Sequence, residues 1–234
     1  MSAEAQIVIG GHVYGGGNAG DTGGNSTVTI IGGDLDRVFG GARMANVGGR
    51  AFMHIDGANA SSYIVINRLY GGNDIAGTIG TSTDALPEVI QPHATTNGVD
   101  ISWNALVLIS SKPFSTYTAV EATAYNTEHN LKVGDEGYVS EGDVKDPNEK
   151  IYIGQLFGGG DGEYEYGYST ERSVYYAKEA GVEVATSSTP LTVPNLGRTF
   201  VDIHGGSIVY AYGGGNNATV TDKTVISLDN PRRW

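Results

Sequence analysis

Residues 27–42 read TVTIIGGDLDRVFGGA, and the two parts of this stretch recur along the chain. The first part is an apolar, β-branched run that ends in a glycine pair. The second is an apolar pair, aromatic at its second position, that ends in another glycine pair. This aromatic step places its rings at intervals of 25, 31, 87 and 55 residues, at Tyr14, Phe39, Tyr70, Phe157 and Tyr212. Self-similarity at a period of about 20 to 50 residues indicates a repeat architecture.

The apolar runs before the glycine pairs predict β-strands. Alternate residues of a strand face opposite sides. Aligned on the first glycine, the residue two before it is always apolar and is expected to point inward: Val8, Ile30, Ile55 and Ile203. The residue one before it is mixed and is expected to point outward: Ile9, Ile31, Asp56 and His204.

The same alternation does not decide whether the five rings face the interior or the solvent. A polar residue lies three positions before most of the aromatic-step glycine pairs: His12, Arg37, Arg68 and Gln155. Strict alternation from these positions would put the rings outside, unless a corner of the chain breaks it.

Two architectures compete for these strands, antiparallel hairpins in a sandwich and successive coils of a parallel β-solenoid. Like residues recur at like positions, as they would if each coil stacked about 4.8 Å above the last, whereas hairpins impose no such rule. We therefore predict an all-β fold, a parallel β-helix (β-solenoid) with inserted loop and β excursions. Neither end looks like a cap, so another subunit or a further part of the polypeptide is expected to stack on at least one end.

Long interruptions of the period divide the chain. We predict N-terminal coils over 1–80, a partly β insertion over 81–149, one coil over 150–161, a tyrosine-rich insertion over 162–198 and C-terminal coils over 199–234. The first insertion contains a strand-like run at 99–110 and four prolines: Pro87, Pro92, Pro113 and Pro147. In the second, residues 169–180 are expected to form a short helix. Insertions in repeat proteins commonly carry the binding face.

Composition limits the partners. The formal net charge of −12 repels nucleic acid, no run of 18 apolar residues favours membrane insertion, and no cysteine is present for a disulfide or thiolate site. The 36 glycines are about twice ordinary usage, which indicates the same turn made repeatedly.

Two sets of carboxylates have the spacing that places side chains on one face of a strand, as glycoside-cleaving enzymes require for an acid and a base. These are Asp34 with Asp36, and Asp161 with Glu163 and Glu165. No cluster of histidine, arginine or lysine recurs beside them to polarise a substrate. Solvated loops of an acidic chain have the same composition, and we predict no catalytic residue.

Residues 15–21 and 158–163 offer carboxylates and carbonyls on glycine-rich turns, as calcium sites do. Neither matches the calcium-binding nonapeptide repeat, and turn chemistry explains both without a metal. The five histidines are scattered: His12, His54, His93, His129 and His204. We therefore predict no metal and no cofactor.

A tyrosine-dense segment is the candidate binding surface. Five tyrosines lie within 13 residues: Tyr164, Tyr166, Tyr168, Tyr175 and Tyr176. Exposed aromatic residues of this kind stack on sugars or anchor protein interfaces. The alternative is that they pack the second insertion against the rest of the protein.

The glycine-rich steps resemble those of the GGGN-type parallel β-helix repeats in very large surface proteins of gut anaerobes and in virion proteins of their tailed phages. The resemblance covers residues 13–18, 27–42, 150–162 and 210–217, and that family contributes no catalytic residues. It implies a non-catalytic structural protein of a virion (a fibre, tail or capsid-associated component) that presents binding loops. A fragment of a bacterial cell-surface adhesin is the alternative, and a polysaccharide-active enzyme is the second alternative. The expected location is the virion or the cell surface. The expected partners are another subunit, a virion protein, or a surface glycan or receptor.

Overall fold

The computed structural model describes residues 7–60, 62–86, 102–111, 116–143, 145 and 150–228. The chain forms two compact units, one of Met1–Ser111 with Lys150–Trp234 and the other of Lys112–Glu149. In chain order the larger unit contains β1 (Val8–Tyr14), β2 (Ser26–Ile30), β3 (Gly33–Phe39), β4 (Ala51–Asp56), β5 (Ile64–Tyr70), β6 (Thr78–Ile79), β7 (Ala105–Ser110), β8 (Ile151–Phe157), β9 (Glu165–Ser169), β10 (Val174–Glu179), β11 (Val182–Ser187), β12 (Asn195–Ile203), β13 (Ser207–Tyr212) and β14 (Thr219–Leu228).

The described strands form three sheets. The first is parallel, with the order β1-β3-β5-β8-β13. The second is also parallel, with the order β14-β12-β7-β4-β2, and β6 pairs with β12 beside it. The third is a three-stranded antiparallel sheet with the order β11-β10-β9. Like residues pair within the parallel sheets because neighbouring strands run in register, as at Phe39 and Tyr70.

The main core contains side chains from both parallel sheets. Leu35 and Leu69 of the first sheet and Met53 and Ile109 of the second belong to one cluster of buried residues. Fully burying a side chain of this size stabilises the fold by about 1.5–3 kcal/mol. Burial of these apolar faces therefore accounts for much of the stability of the larger unit.

The prediction of a β-solenoid is wrong. The described strands form two separate multi-stranded parallel sheets and one antiparallel sheet. The recurrence of like residues at like positions follows from in-register parallel pairing inside each sheet, because paired residues are neighbours whichever way the chain connects the strands. Columns of similar side chains therefore do not require stacked coils.

The alignment of the first apolar run is also wrong. Ile30, Ile55 and Ile203 belong to the second sheet, where they form one column through Ile109. Val8 instead pairs with Asp34 in the first sheet and is 68% exposed.

The expected outward set is mixed as well. Ile9 and Ile31 are exposed, whereas Asp56 is buried and His204 is half-buried. Both of the latter lie at the ends of strands of the second sheet, in a region where the opposite face is covered too. Period-two alternation assigns residues to two faces, but it does not say which faces are exposed to solvent.

The second insertion contains no helix at 169–180, contrary to prediction. These residues form the end of β9, a turn and β10, and Tyr175 pairs with Tyr168 across the hairpin. The alternation of the preceding tyrosines has the period of a strand, and cross-strand pairing of aromatic residues favours it over the helix.

In the first insertion, β7 lies between β4 and β12 in the second sheet. The four prolines and residues 99–101 lie outside the described residues. The smaller unit has one described helix, α1 (Ala119–Glu128), which begins at a capping box formed by Thr118 and Glu121.

Candidate functional site

Five aromatic rings form a continuous column across the first sheet. Tyr14, Phe39, Tyr70, Phe157 and Tyr212 are register partners on successive strands. Their ring centroids are 5.2, 4.7, 5.0 and 4.9 Å apart, and the planes are tilted by 14° or less. Offset stacking at this separation is worth about 0.5–1.5 kcal/mol per pair beyond the burial of area.

The three middle rings are buried because the alternation of faces breaks within their strands. Leu35 and Val38 both belong to the main core cluster although they are three residues apart, so one residue between them is out of phase. Phe39 then lies on the opposite face from Val38 and is fully buried there. The column is closed in its middle and opens toward both edges, where Tyr14 is half-buried and Tyr212 is 45% exposed.

The glycine after each ring allows neighbouring backbones to approach closely. A Cβ at Gly40 would lie 2.6 Å from the carbonyl oxygen of Gly71, which is closer than real Cβ atoms come. The backbone N–H of Gly40 donates to the carbonyl of Tyr70 at 2.8 Å, so this approach is part of the strand ladder. The aromatic-glycine step is therefore a packing requirement of the sheet.

A buried carboxylate behind the column joins three parts of the chain. Asp74 is 1% exposed and accepts hydrogen bonds from the hydroxyls of Tyr14, at 2.5 Å, and Tyr164. His12 Nδ1 lies 2.8 Å from the Tyr14 hydroxyl. Burial, and then the charge of Asp74, raise the pKa of Tyr164 well above its usual range, so this tyrosine remains a hydrogen-bond donor.

A second buried carboxylate, Asp161, lies in the turn after β8. It is 1% exposed and accepts from the N–H groups of Gly162, at 2.9 Å, and Glu163, at 3.3 Å, and from the side chain of Asn216, at 3.0 Å. Burial raises its pKa; the backbone N–H groups oppose this shift, and the charge of Asp74 adds to it. All three donors bond to Oδ1, and Oδ2 lies 4.0 Å from Arg37 Nη1.

The two candidate sets of carboxylates from the sequence differ in burial and in hydrogen-bond partners. Asp161 points inward, whereas Glu163 is exposed and lies 3.9 Å from Arg68, and Glu165 is exposed on β9. Asp34 is exposed, and Asp36 accepts a hydrogen bond from Asn67 at 2.9 Å. The structure therefore separates Asp161 from the two glutamates, while Asp34 and Asp36 line the same groove.

The five tyrosines of the predicted binding surface divide into two groups. Tyr164, Tyr166 and Tyr175 are half-buried against a cluster that contains Ile75 and Ala177. The Tyr166 hydroxyl donates to the carbonyl of Ile75 at 2.6 Å. Three tyrosines thus fasten the antiparallel sheet to the chain near residue 75.

The remaining two tyrosines lie outside this cluster, and only Tyr168 is exposed. Tyr168 is 48% exposed, and its ring lies 4.7 Å from that of Tyr175. The Tyr176 ring has the Lys178 ammonium 4.8 Å from its centroid.

Asp74 was not predicted from the sequence, although a signal for it exists. Asp74 lies four residues after Tyr70, and Asp161 lies four residues after Phe157. Alignment on the rings would have placed the two carboxylates at corresponding positions after their strands. Only the tertiary structure shows that the Tyr164 hydroxyl donates to Asp74.

No group of three or more histidine, aspartate or glutamate side chains that could hold a metal ion occurs within the described residues. In the first calcium candidate, Asp21 instead accepts from the backbone N–H of Asn46 at 2.8 Å, and this bond lowers its pKa. The second candidate contains Asp161, whose partners are given above. His93 lies outside the described residues. No described helix is long and apolar enough to cross a membrane.

Comparison of the chain with models of protein families, with curated proteins and with solved structures finds no match.

Proposed function

We propose that this chain is a non-catalytic structural protein whose copies add to one another edge to edge. The observation that carries this proposal is the aromatic column, which continues in register through five strands and is open at both edges. A second copy placed with its β1 beside β13 would bring Tyr14 next to Tyr212 and continue the column.

Both edges of the first sheet present apolar side chains. Ile7 is 64% exposed beside β1, while Val209 and Tyr210 on β13 are 69% and 55% exposed. Unprotected sheet edges with apolar side chains favour pairing with another chain. Because the two edges differ, their contact is heterologous and produces a ring or a filament rather than a closed two-fold dimer.

The main core cluster supports the same contact. Partly buried residues extend it toward both edges, with Val13 and Ile30 at one side and Ile203 and Ile208 at the other. A parallel neighbour would bury these side chains, each at a gain of about 25 cal/mol per Å² of apolar surface removed from water.

The buried carboxylates favour a structural role over an enzymatic one. Both oxygens of Asp74 accept from tyrosine hydroxyls, and Oδ1 of Asp161 accepts from backbone N–H groups, so these buried acceptors already bond within the protein. The virion is the proposed setting on the strength of the resemblance of the glycine-rich segments. Portal, capsid or tail genes beside the coding gene would support a virion component, and an upstream extension with a signal peptide would instead indicate a cell-surface adhesin.

Two edge variants test the assembly. Ile7→Lys places a charge on the β1 edge and Tyr212→Lys places one on the β13 edge, so each variant retains one intact edge. We expect the wild type to show concentration-dependent association in sedimentation velocity, each variant alone to be monomeric, and their equimolar mixture to form dimers and nothing larger.

Tyr168→Lys is the matched control, because this tyrosine has an exposure of 48%, close to the 45% of Tyr212, but lies on the antiparallel sheet. It should associate like the wild type. A wild type that stays monomeric at its highest soluble concentration would rule out assembly through these edges.

A further inference from the structure

An open groove of about 920 Å³ crosses the face of the first sheet that is turned away from the main core. Every strand of that sheet contributes to it, through residues such as Val8, Asp34, Asn67, Tyr152 and Val209. Five strands with a spacing of about 4.8 Å make the groove roughly 19 Å long across the sheet.

The depth of the groove depends on residues without side chains. Gly10 lines it and has no atom within 4 Å of the place where a Cβ would be. Packing therefore does not require glycine at this position, and a larger side chain would project into the groove. At Gly154, in contrast, a Cβ would lie 2.6 Å from the carbonyl oxygen of Asn67.

The walls combine apolar surface with a few polar groups. Val8 and Val65 are 68% and 36% exposed, and Tyr152 is 42% exposed with its ring 6.1 Å from that of Tyr63. Asp34, Asp36 and Asn67 supply acceptors, and Asn67 also supplies an amide donor. Ligand sites typically have such a mostly apolar surface with a small number of polar groups that orient the ligand.

Charge and backbone pairing narrow the class of ligand. Among the described residues, no lysine or arginine lines the groove and two carboxylates do, so phosphorylated, sulfated or carboxylated ligands are disfavoured. A peptide that binds by strand addition requires a free sheet edge. The polar groups and the Tyr152 ring of the groove instead lie on the faces of β3, β5 and β8, each of which is already paired on both sides.

We propose that this groove binds a neutral oligosaccharide. The exposed ring of Tyr152 packs against the C–H face of a sugar, since aromatic side chains combine a large apolar surface with a polar end. The carboxylates of Asp34 and Asp36 and the amide of Asn67 bond to its hydroxyls. The groove reaches both edge strands, but the residues proposed to contact the sugar lie on the inner strands β3, β5 and β8. Tyr212 does not line the groove, so the edge variant Tyr212→Lys should retain binding.

The test is binding of neutral gluco-, manno- and galacto-oligosaccharides to the wild type, measured by titration calorimetry beside matched anionic sugars. We expect binding of a neutral oligosaccharide to weaken tenfold or more in Tyr152→Ala and to disappear in Gly10→Leu. Asp36→Asn should weaken it severalfold, because an amide is a poorer acceptor than a carboxylate. Thermal unfolding of each variant establishes that it is folded.

Two control variants separate the groove from other surfaces. Tyr168→Ala removes a similarly exposed tyrosine from the antiparallel sheet, and Gly23→Leu adds a side chain where nothing lies within 4 Å of a Cβ, outside the groove. Both should bind like the wild type. The proposal is overturned if no neutral oligosaccharide binds, or if Tyr168→Ala abolishes binding while Tyr152→Ala does not. Preferential, salt-sensitive binding of a lysine-rich peptide would overturn it as well.

Discussion

Asp74 and Asp161 lie at corresponding places after two paired strands, four residues beyond Tyr70 and Phe157, and each is 1% exposed. The charge of Asp74 contributes to the raised pKa of Asp161. Two like charges in such a position are tolerated because each carboxylate has its own donors: tyrosine hydroxyls for Asp74, and backbone N–H groups and an amide for Asp161. Asp74 therefore connects β1, through Tyr14, to Tyr164 immediately before β9, whereas Asp161 connects the turns after β8 and β13.

Removal of the Tyr164 hydroxyl should show how much its hydrogen bond to Asp74 contributes to stability. In Tyr164→Phe, Asp74 loses a hydroxyl donor while remaining buried, and we expect the free energy of unfolding to fall by about 1–3 kcal/mol. Urea denaturation measures the change. Tyr168→Phe, at an exposed position, should stay within about 0.5 kcal/mol of the wild type. Equal effects of the two substitutions would contradict a special role for Tyr164.

The raised pKa of Asp161 predicts a pH dependence of stability. In the folded state this carboxyl binds its proton more tightly than in the unfolded chain, where its pKa has the ordinary aspartate value of 3.8. The stabilisation that this tighter proton binding gives the folded state is therefore fully present below pH 3.8. It is lost as the pH rises through the raised pKa of the folded state. Other carboxyls titrate in the same range, so the quantity to follow is the difference from Asp161→Asn.

We expect the stability of Asp161→Asn, relative to the wild type, to increase as the pH rises from about 4 upward, because the amide does not ionise. Denaturation at a series of pH values measures this difference. A relative stability that decreases over the same range would show that the Asp161 pKa is lowered by folding.

The glycine after each ring packs closely against the neighbouring backbone. Adding a single methyl group there should therefore lower the free energy of unfolding. In Gly40→Ala the new Cβ meets the Gly71 carbonyl, which is backbone and can move little. We expect a loss of about 1–3 kcal/mol in urea denaturation, as for other overpacked sites. Gly23→Ala, where a Cβ has open space, should be neutral or slightly stabilising. A neutral Gly40→Ala would show that the sheet can relax here.

A ring in the middle of the aromatic column should contribute more to stability than an exposed tyrosine on the edge strand. Phe39 is fully buried between Tyr14 and Tyr70, and Phe39→Ala should cost about 3–5 kcal/mol through the cavity and the lost stacking. Tyr210→Ala, on the exposed edge, should change stability by less than about 0.5 kcal/mol in the monomer. Similar losses at both positions would mean that stacking contributes little.

The strands of the glycine-terminated runs and the ring positions were predictable because they depend on local patterns, whereas the hairpin of β9 and β10 was missed. An apolar run that ends in glycine marks a strand wherever it occurs, and the repetition of the aromatic step gave the column Tyr14 to Tyr212 in the correct register. The fold class was not predicted correctly. In-register parallel strands produce columns of like residues in a sheet and in a coil alike, so the columns could not distinguish the two.

By itself, the sequence determined that the glycine-terminated apolar runs are strands, which rings recur at equivalent positions, and an acidic composition that disfavours anionic partners. The tertiary structure alone decided which sheet each strand joins, that the three middle rings are buried, and that Tyr164 bonds to Asp74, 90 residues before it in the chain. The physical reason is range. Alternation and turn chemistry act between neighbours in the chain, whereas the burial of a carboxylate and its pairing with a distant hydroxyl depend on how remote segments pack together.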